Sequence, residues 1–374
     1  MKIDTFKVER WMNDYEDDAV YNLGETCIDS LTVGELLELA GEDPDSYLTG
    51  LKDTRLTYGH IFGSPELVNG VAGLYRDLKG ENVIPTHGAI GANEMVISAM
   101  IESTDNMVCV LPTYQQHYSI PKAIGAEVRI LKLRPENDYL PDLDELRSLV
   151  DENTKMITIN NPNNPTGSWI PTPTLKAISD IAARVGAYVL SDEVYRGISE
   201  DGSYMDSIVD IYDRGISVGS MSKIFSLAGL RLGWIASKDK DVLHLCLERR
   251  DYDTISCGMI DDKLASLALA HKDKIFERNR AILEKNRRIL DEWVNRTPQV
   301  HYLRPVAGTT ALVYYDLDMP SYELCKRLIR EKGLLFTPGA AFEMEGAVRI
   351  GYAFDSKLLK EGLDKFTEFL EEEK

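Results

Sequence analysis

The sequence is poor in the residues that build disulfide frameworks and metal sites. Its 374 residues include six histidines and five cysteines, which are Cys27, Cys109, Cys246, Cys257 and Cys325. The cysteine number is odd, and no two cysteines form a CxxC pair. We therefore expect neither a disulfide framework nor a zinc site, and no bound metal.

Positive charge is also scarce. Lysine and arginine number 42 against 61 aspartates and glutamates, which gives a formal net charge of -19. Nucleic acids and anionic membrane surfaces attract basic proteins, so we expect neither as a partner. The negative net charge does not indicate the charge of the substrate, because a local basic pocket can lie inside an acidic protein.

Long apolar segments are missing as well. The chain starts MKIDTFKVERWMNDYEDD, which is highly charged and contains no apolar core of the kind found in signal peptides. We expect no signal peptide and no membrane span, and we predict a cytoplasmic protein.

Helix and strand patterns alternate from about residue 64 to residue 236. The predicted strands are 82–86, 107–111, 127–133, 156–160, 187–192, 216–220 and 232–236, and the predicted helices are 64–78, 91–103 and 172–185. Such alternation is typical of βαβ units, so we predict an α/β fold with a mostly parallel central sheet.

The C-terminal part has a different pattern. A long charged helix is predicted over 260–293, followed by strands at 310–317 and 348–352, a helix at 321–332 and a terminal helix. A chain of this length usually forms more than one packed unit. We predict a large α/β domain over residues 40–255, and a smaller α+β domain formed by residues 1–39 together with 256–374.

Polar side chains directly follow three predicted strands. They are Asn164 after 156–160, Asp192 and Tyr195 at the end of 187–192, and Ser220, Lys223 and Arg231 after 216–219. Ligands of parallel α/β sheets bind at the carboxyl ends of the strands. These amide, carboxylate, phenol, hydroxyl, ammonium and guanidinium groups therefore suggest a site for an anionic, heteroaromatic ligand.

Several segments resemble motifs of the class I/II aminotransferase family, the fold-type I enzymes that use pyridoxal 5′-phosphate (PLP). They are NNPNNPTG, SDEVY, SMSKIFSLAGLRLGW, the PTY at 112–114 and the VRIGYA at 348–353. The segment GAIGANE at 88–94 is most similar to the version in the 1-aminocyclopropane-1-carboxylate synthase branch. The resemblance implies the PLP-dependent transferase (aminotransferase) fold, and PLP as the cofactor.

The resemblance also implies roles for individual residues around the cofactor ring. Lys223 would form the Schiff base with PLP and then carry the proton between substrate and cofactor. Asp192 would pair with the pyridine nitrogen, and Tyr195 and Asn164 would bond the ring oxygen. Tyr114 would stack on the ring face. A lysine with this role needs a lowered pKa, which we expect a partly desolvated, cationic neighbourhood to supply.

The phosphate group would lie at the start of a helix, on the backbone N–H groups of Ala89 and Ile90. Ser220 and Arg231 would complete this phosphate site. Ile90 departs from the family pattern, which often has serine or threonine at this position. Tyr58 matches the tyrosine that reaches the phosphate of the neighbouring subunit, so the resemblance implies a homodimer with shared active sites.

The substrate would be held on the other side of the site. The resemblance implies that Arg349 clamps the α-carboxylate, together with Asn164, and that Gly24 and Glu25 close over the substrate. The segment NLGETCIDSL lacks the G-x-P-D ending that is usual there. Candidates for the side-chain pocket are Glu25, Thr26, Cys27, Tyr252, Asp253, Thr254 and the segment around Tyr58.

Each of these residues taken alone also fits an ordinary structural role, such as a solvated lysine, a helix-capping aspartate or a turn-forming asparagine. A nicotinamide dehydrogenase is disfavoured because VIPTHGAIGAN lacks G-x-G-x-x-G. An aminotransferase-like transcription regulator would carry an added basic module, which is missing, and the intact residue set argues against an inactive scaffold.

We therefore predict a PLP-dependent aminotransferase acting on an L-amino acid and a 2-oxo acid. A lyase or cyclase on the same fold stays open, with C–S β-lyase, 1-aminocyclopropane-1-carboxylate synthase-like or capreomycidine synthase-like chemistry.

Overall fold

A computed structural model describes residues 2–197, 199 and 204–373 of the chain. Its helices are α1 (Lys7–Tyr15), α2 (Val33–Ala40), α3 (Pro44–Leu51), α4 (Pro65–Ala72), α5 (Gly88–Met100), α6 (Gln116–Ile124), α7 (Leu143–Leu149), α8 (Thr172–Val185), α9 (Lys240–Asp251), α10 (Met259–Ala270), α11 (Lys272–Arg296), α12 (Ser321–Lys332) and α13 (Ser356–Glu372). Its strands are β1 (Tyr21–Asn22), β2 (Val83–Thr86), β3 (Asn106–Leu111), β4 (Glu127–Lys132), β5 (Thr154–Asn160), β6 (Tyr188–Asp192), β7 (Gly215–Ser220), β8 (Gly233–Ser237), β9 (Val300–Tyr302), β10 (Thr310–Tyr315), β11 (Leu334–Leu335), β12 (Thr337–Pro338) and β13 (Ala347–Gly351).

The centre of the molecule is a seven-stranded sheet with the strand order β2-β8-β7-β6-β5-β3-β4. Strands β7, β6, β5, β3 and β4 pair in parallel. Strand β8 alone runs the other way, between β7 and β2. The predicted α/β fold with a mostly parallel central sheet is thus confirmed.

Both faces of this sheet are covered by apolar side chains, because successive residues of a strand point to opposite faces. In β5, Met156 belongs to one hydrophobic cluster, and Ile157 belongs to the other. In β6, Leu190 belongs to the same cluster as Met156, and Val189 belongs to the same cluster as Ile157. Burial on both faces explains why these strands are continuous apolar runs in the sequence.

The C-terminal elements form an antiparallel sheet of four strands, in the order β12-β13-β10-β9. Helices α11 and α13 contact each other, as do α12 and α13. Near the N-terminus, β1 pairs in parallel with β11, so Tyr21 lies opposite Leu334. One hydrophobic cluster contains residues of both the central sheet and this C-terminal part. The domain limits at residues 40 and 255 therefore stay a prediction.

Three helices differ in their limits from the sequence prediction. Helix α4 ends at Ala72 and not at residue 78. The next residue, Gly73, caps the helix, and glycine is a weak helix former. Helix α5 begins at Gly88 instead of residue 91, because Gly88 takes φ +68°, which lets the chain turn directly from β2 into the helix. The stretch 260–293 is two helices, α10 and α11, because His271 leaves the helical backbone conformation.

No helix within the described part of the chain is both long enough and apolar enough to cross a membrane.

Candidate active site

A cavity of about 380 Å³ lies at the carboxyl ends of the parallel strands. It is lined by most of the residues that the sequence indicates, namely Gly24, Glu25, Ala89, Ile90, Tyr114, Asn164, Asp192, Tyr195, Ser220, Lys223, Arg231 and Arg349. Thr26 and Cys27 line it as well. Residues that are more than 300 positions apart in the sequence thus meet in one place.

The sheet order explains how three groups of polar residues come together. Strands β5, β6 and β7 are direct neighbours. In their register, Asn160 at the end of β5 lies opposite Asp192 at the end of β6, and Asp192 lies opposite Val218 of β7. The segments that follow these strands therefore leave the same edge of the sheet.

The carboxylate of Asp192 is buried and held by hydrogen bonds. Asn93 Nδ2 of α5 donates to Asp192 Oδ2 at 2.8 Å, and the backbone N–H of Val194 donates to Oδ1 at 3.2 Å. His117 Nε2 lies 3.8 Å from Oδ2, and neither ring nitrogen of this fully buried histidine has a hydrogen-bond partner among the residues that the structure describes. Asp192 is thus a carboxyl group held in one direction at the wall of the cavity.

A buried ion pair supports the turn that carries Asp192 and Tyr195. Arg196 Nε lies 3.0 Å from Glu193 Oε2, and both side chains are almost fully buried. Ser217 Oγ donates to Glu193 Oε2 at 2.8 Å, which ties the turn to β7. A conformation of the turn that separates the two side chains would leave buried charges without partners, which is strongly destabilising. The ion pair therefore holds the turn in the observed conformation.

Lys223 is surrounded by acidic groups. Its Nζ donates to Thr26 Oγ1 at 2.6 Å and to Cys27 Sγ at 3.4 Å. Burial disfavours the ammonium form, but the neighbouring Cys27, Tyr195 and Glu25 outweigh burial and raise the pKa of Lys223 above its ordinary value. The expected cationic neighbourhood with a lowered lysine pKa is therefore wrong for this structure. The reason is that the N-terminal segment brings its hydroxyl, thiol and carboxyl groups to Nζ.

The start of α5 forms a possible anion site. Ala89 and Ile90 lie in its first turn, where backbone N–H groups have no partner inside the helix. A side chain at Gly88 would come within 2.9 Å of Arg231 Nη2, so the guanidinium group lies against this helix start. Arg231 Nη1 donates to Ala228 O at 3.0 Å. Ser220 Oγ, at the end of β7, accepts from the N–H of Ser222.

We expect Gly233→Ala to weaken PLP binding about tenfold, because the helix start is packed tightly on β8. A Cβ atom at Gly233 would lie 2.4 Å from the carbonyl carbon of Gly88 and 2.7 Å from the nitrogen of Ala89, so α5 has to move. Overpacking of this kind costs about 1–3 kcal/mol. The measurement is a titration of cofactor-free protein with PLP, followed by absorbance. Gly229→Ala is the matched control, because among the described residues no atom beyond its own chain neighbours lies within 4 Å of its Cβ position. Equal affinities of the two variants would contradict a phosphate site at the start of α5.

Arg349 projects from β13 and is only 2% exposed. Its Nη2 donates to Gly24 O at 2.7 Å and to Thr337 Oγ1 at 2.9 Å, and its Nη1 donates to Asn164 Oδ1 at 3.3 Å. Burial lowers its pKa from the ordinary value. Its Nε has no hydrogen-bond partner within the described residues. A buried guanidinium with spare donor capacity fits the binding of a carboxylate.

The N-terminal helix α1 lies over the cavity. It buries Val8 and Trp11, and Trp11 Nε1 donates to Phe336 O at 2.8 Å. Glu9 Oε1 accepts a 2.5 Å hydrogen bond from the hydroxyl of Tyr114. The ring of Phe6 lies 4.7 Å from that of Tyr114, measured between centroids. Helix α1 thus fixes the tyrosine that is expected to stack on the cofactor.

Four predicted site residues lie away from this cavity within one chain. They are Tyr58, Tyr252, Asp253 and Thr254. Tyr58 is 68% exposed and Tyr252 is 90% exposed. Ser256 Oγ donates to the carbonyl of Tyr58 at 3.1 Å, so the segments around Tyr58 and Tyr252 lie side by side on the surface.

The structure adds residues that the sequence prediction does not include. Asn93 and His117 contact Asp192; Asn93 lies inside the GAIGANE segment at 88–94, and His117 lies three residues after Tyr114. Glu9 and Glu16 also line the cavity. Their sequence context gives no such signal, because Glu9 lies in the charged helix α1, and Glu16 lies among the acidic residues that follow it.

The residues present fit PLP. Helix α5, Arg231 and Ser220 supply donors for a phosphate at one end of the cavity, and the held carboxylate of Asp192 suits a protonated ring nitrogen. Lys223 Nζ lies among polar groups in the same cavity.

Comparison with known proteins gives one family match. The family model described as Aminotransferase class I and II matches residues 22–366. Capreomycidine synthase of Streptomyces vinaceus is 28% identical over 367 residues, which cover 97% of this chain and 93% of that protein. An aspartate aminotransferase of Pyrococcus horikoshii is 29% identical over 328 residues, which cover 83% of this chain and 82% of that protein.

Solved structures agree with this match. A PLP-dependent aminotransferase from Streptococcus suis has a TM-score of 0.97 and 45% identity, and covers 100% of this chain and 99% of its own. The PLP-dependent cyclase OrfR has a TM-score of 0.92 with 23% identity, and covers 100% of this chain and 98% of its own. At that identity, the second likeness concerns the fold alone.

Proposed function

We propose, from the premise that this chain belongs to the aminotransferase class I and II family, that it transfers the amino group of an L-amino acid to a 2-oxo acid, with PLP as its cofactor. The observation that carries this proposal is the meeting of Lys223, Asp192 and Arg349 in one cavity. Members of the family are PLP-dependent. When bound, PLP supplies an electron sink that stabilises negative charge on the amino acid.

In this proposal the residues of the cavity divide into three groups. The start of α5, Ser220 and Arg231 hold the phosphate. Asp192 pairs with the ring nitrogen, Tyr195 and Asn164 bond the ring oxygen, and Tyr114 covers the ring face. The hydrogen bonds from Asn93 and Val194 to Asp192 support this assignment, since they hold the buried carboxylate in one direction.

The chain's own groups do the remaining work. Arg349 orients the amino acid by its α-carboxylate, with Asn164 beside it. Lys223 Nζ would accept the proton from the amino acid's Cα, hold it as an ammonium and then pass it to the cofactor, as a positioned acid–base group does. Thr26 Oγ1, 2.6 Å from Nζ, fixes the direction of the amine. Helix α1 and the segment that follows β1 cover the site and limit access of water.

A screen of amino acids with the holoenzyme tests the proposal. Without a 2-oxo acid acceptor, a transaminating enzyme releases about one equivalent of 2-oxo acid per active site and no ammonia. Addition of an acceptor then restores turnover. Release of ammonia together with pyruvate would contradict transamination and identify a lyase.

A cyclase is the second candidate function. The observation that favours it is the likeness to capreomycidine synthase over 97% of this chain. In the same screen, a cyclase consumes an amino acid without releasing either 2-oxo acid or the substrate's α-amino nitrogen. Mass spectrometry of the product therefore separates the two candidates.

We also propose that the protein is a cytoplasmic homodimer with shared active sites. An apolar surface supports this proposal: Leu48, Leu56, Tyr58, Phe62, Tyr252, Ile255 and Ile260 are all exposed. Exposed apolar clusters are typical of protein–protein interfaces. This surface contains Tyr58. Its match to the family's tyrosine implies a contact with the phosphate of the second subunit. A symmetric dimer would form this contact twice.

We expect partial recovery of activity when inactive Lys223→Ala subunits are mixed with an inactive Tyr58 variant. A mixed dimer with shared sites contains one site with both changes and one site with neither change. The two proteins are dissociated, mixed and reassociated, and activity is measured against each protein treated alone. If mixed dimers form but activity stays absent, Tyr58 acts within its own subunit, and the shared-site proposal is wrong.

A further inference from the structure

Three carboxylates line the same cavity as Arg349. Glu9 and Glu16 come from helix α1 and its C-terminal cap, and Glu25 comes from the segment after β1. Glu9 and Glu16 are seven residues apart, which places them on one face of the helix. Met12 lies between them and also lines the cavity. This face of α1 is turned towards the site, because Val8 and Trp11 are buried beside it.

None of these three carboxylates has an ion-pair partner among the residues that the structure describes. The nearest cations of α1 are used elsewhere, since Lys7 pairs with Glu343 and Arg10 pairs with Asp14. Glu9 accepts a hydrogen bond from the Tyr114 hydroxyl, which is a neutral donor.

The three groups lie close enough to affect one another. Partial burial and the nearby charge of Glu25 raise the pKa of Glu16, and Glu9 adds a smaller contribution of the same sign. Glu25 behaves differently. Burial opposes its ionisation, but the Lys223 ammonium and the N–H groups of Thr26 and Cys27 lower its pKa, so it stays charged.

An independent observation points to an amino acid in this cavity. Arg349 lines it and is 2% exposed, and its Nε has no hydrogen-bond partner in the described part of the chain. Under the proposed function, Arg349 takes the α-carboxylate, Arg231 takes the phosphate and Lys223 serves the cofactor. No further lysine or arginine lines the described cavity. A substrate side chain would therefore meet negative charge and no free cation of this chain.

We propose that the amino donor is an L-amino acid whose side chain carries a cationic amino or guanidino group, held by Glu9, Glu16 and Glu25. This inference rests on the proposed function, because it takes Arg349 as the site of the α-carboxylate. A cationic side chain neutralises charges that otherwise repel one another in a partly desolvated cavity. An acidic side chain would add a further negative charge, so dicarboxylic amino acids are poor donors.

The test compares amino acids of matched size with the wild-type holoenzyme. L-Arginine and L-lysine represent cationic side chains, L-citrulline and L-norleucine represent neutral ones of similar length, and L-aspartate represents acidic ones. We expect kcat/KM for the better cationic donor to exceed that of its neutral counterpart by about tenfold or more, which corresponds to about one charge-assisted contact. Aspartate is expected to react more slowly than either.

Variants assign the preference to the carboxylates. The variant Glu16→Gln is expected to lower kcat/KM for the cationic donor by about tenfold, while the value for its neutral counterpart changes by less than about threefold. Asp18→Asn is the matched control, because Asp18 lies in the same segment, is exposed and does not line the cavity. It is expected to leave both values unchanged.

Binding is measured separately by calorimetry with the Lys223→Ala variant, so that affinity is read without turnover. A preference for aspartate or for neutral donors, or an equal effect of Glu16→Gln on all donors, would overturn the inference and leave transamination intact. If cationic amino acids bind in a carboxylate-dependent way but no amino group reaches a 2-oxo acid, the proposed transamination fails and the substrate class stands.

Discussion

Replacement of Lys223 by alanine is expected to lower turnover by about 10⁴-fold. Its Nζ is the one amine that lines the cavity within the described residues, and it lies beside Thr26 and Cys27. A positioned acid–base group contributes about 10²–10⁴-fold to a rate, and this lysine also has to act as a nucleophile. The upper end of that range is therefore expected. Single-turnover release of 2-oxo acid from a saturating donor measures the effect.

Lys176→Ala is a suitable control for this variant. Lys176 lies on the exposed side of α8, away from the cavity. It is expected to keep wild-type turnover. Turnover of Lys223→Ala within tenfold of the wild type would remove this residue from the proposed chemistry, provided that the variant keeps its melting temperature.

Replacement of Asp192 by alanine is expected to lower turnover by about 10²–10³-fold. Asp192 is 4% exposed, and its carboxylate is held in direction by Asn93 and Val194, so its loss removes a preorganised group from a buried site. Loss of one preorganised electrostatic group costs about this factor in other enzymes. Asp192→Asn keeps the shape but loses the charge, and we expect it to be nearly as inactive.

Asp180→Ala is the control for the Asp192 variants. Asp180 is an exposed residue of α8 that does not line the cavity, so the change removes a carboxylate at a distance from the site. Circular dichroism and thermal melting establish that each variant is folded. Near-wild-type turnover of a folded Asp192→Ala protein would mean that another group stabilises the charge on the cofactor ring.

Much of the cavity is predictable because it follows from local patterns. Strands β5, β6 and β7 are apolar runs, and each passes directly into the polar residues that line the cavity. In a parallel sheet, neighbouring strand ends share an edge, so Asn164, Asp192 and Lys223 were expected to converge. Their places in the structure agree with that expectation.

The substrate side of the cavity is less predictable, because it depends on tertiary packing. Helix α1 is set by contacts over long sequence distances, such as that between Trp11 and Phe336. Gly351 allows a similarly close contact, since a Cβ atom there would lie 1.7 Å from Glu25 O. No local periodicity predicts that Glu9 or Glu16 reaches the site.

The environment of Lys223 illustrates the same limit. Its neighbours along the chain are Ser222 and Ile224, which carry no charge. The acidic groups that raise its pKa come from Glu25 and Cys27, almost 200 residues earlier, and from Tyr195. Electrostatic surroundings are a property of the folded chain, so the sign of this pKa shift could not be predicted from the motif.

The most direct test of the account is reductive trapping of the cofactor in the wild-type holoenzyme. Treatment with sodium borohydride, proteolysis and mass spectrometry locate the lysine that becomes covalently linked to PLP, and Lys223→Ala is treated in parallel. The account predicts that the reduced cofactor lies on the peptide containing Lys223, and that the variant carries none. Reduced cofactor on any other lysine, or equal labelling of the variant, would contradict it.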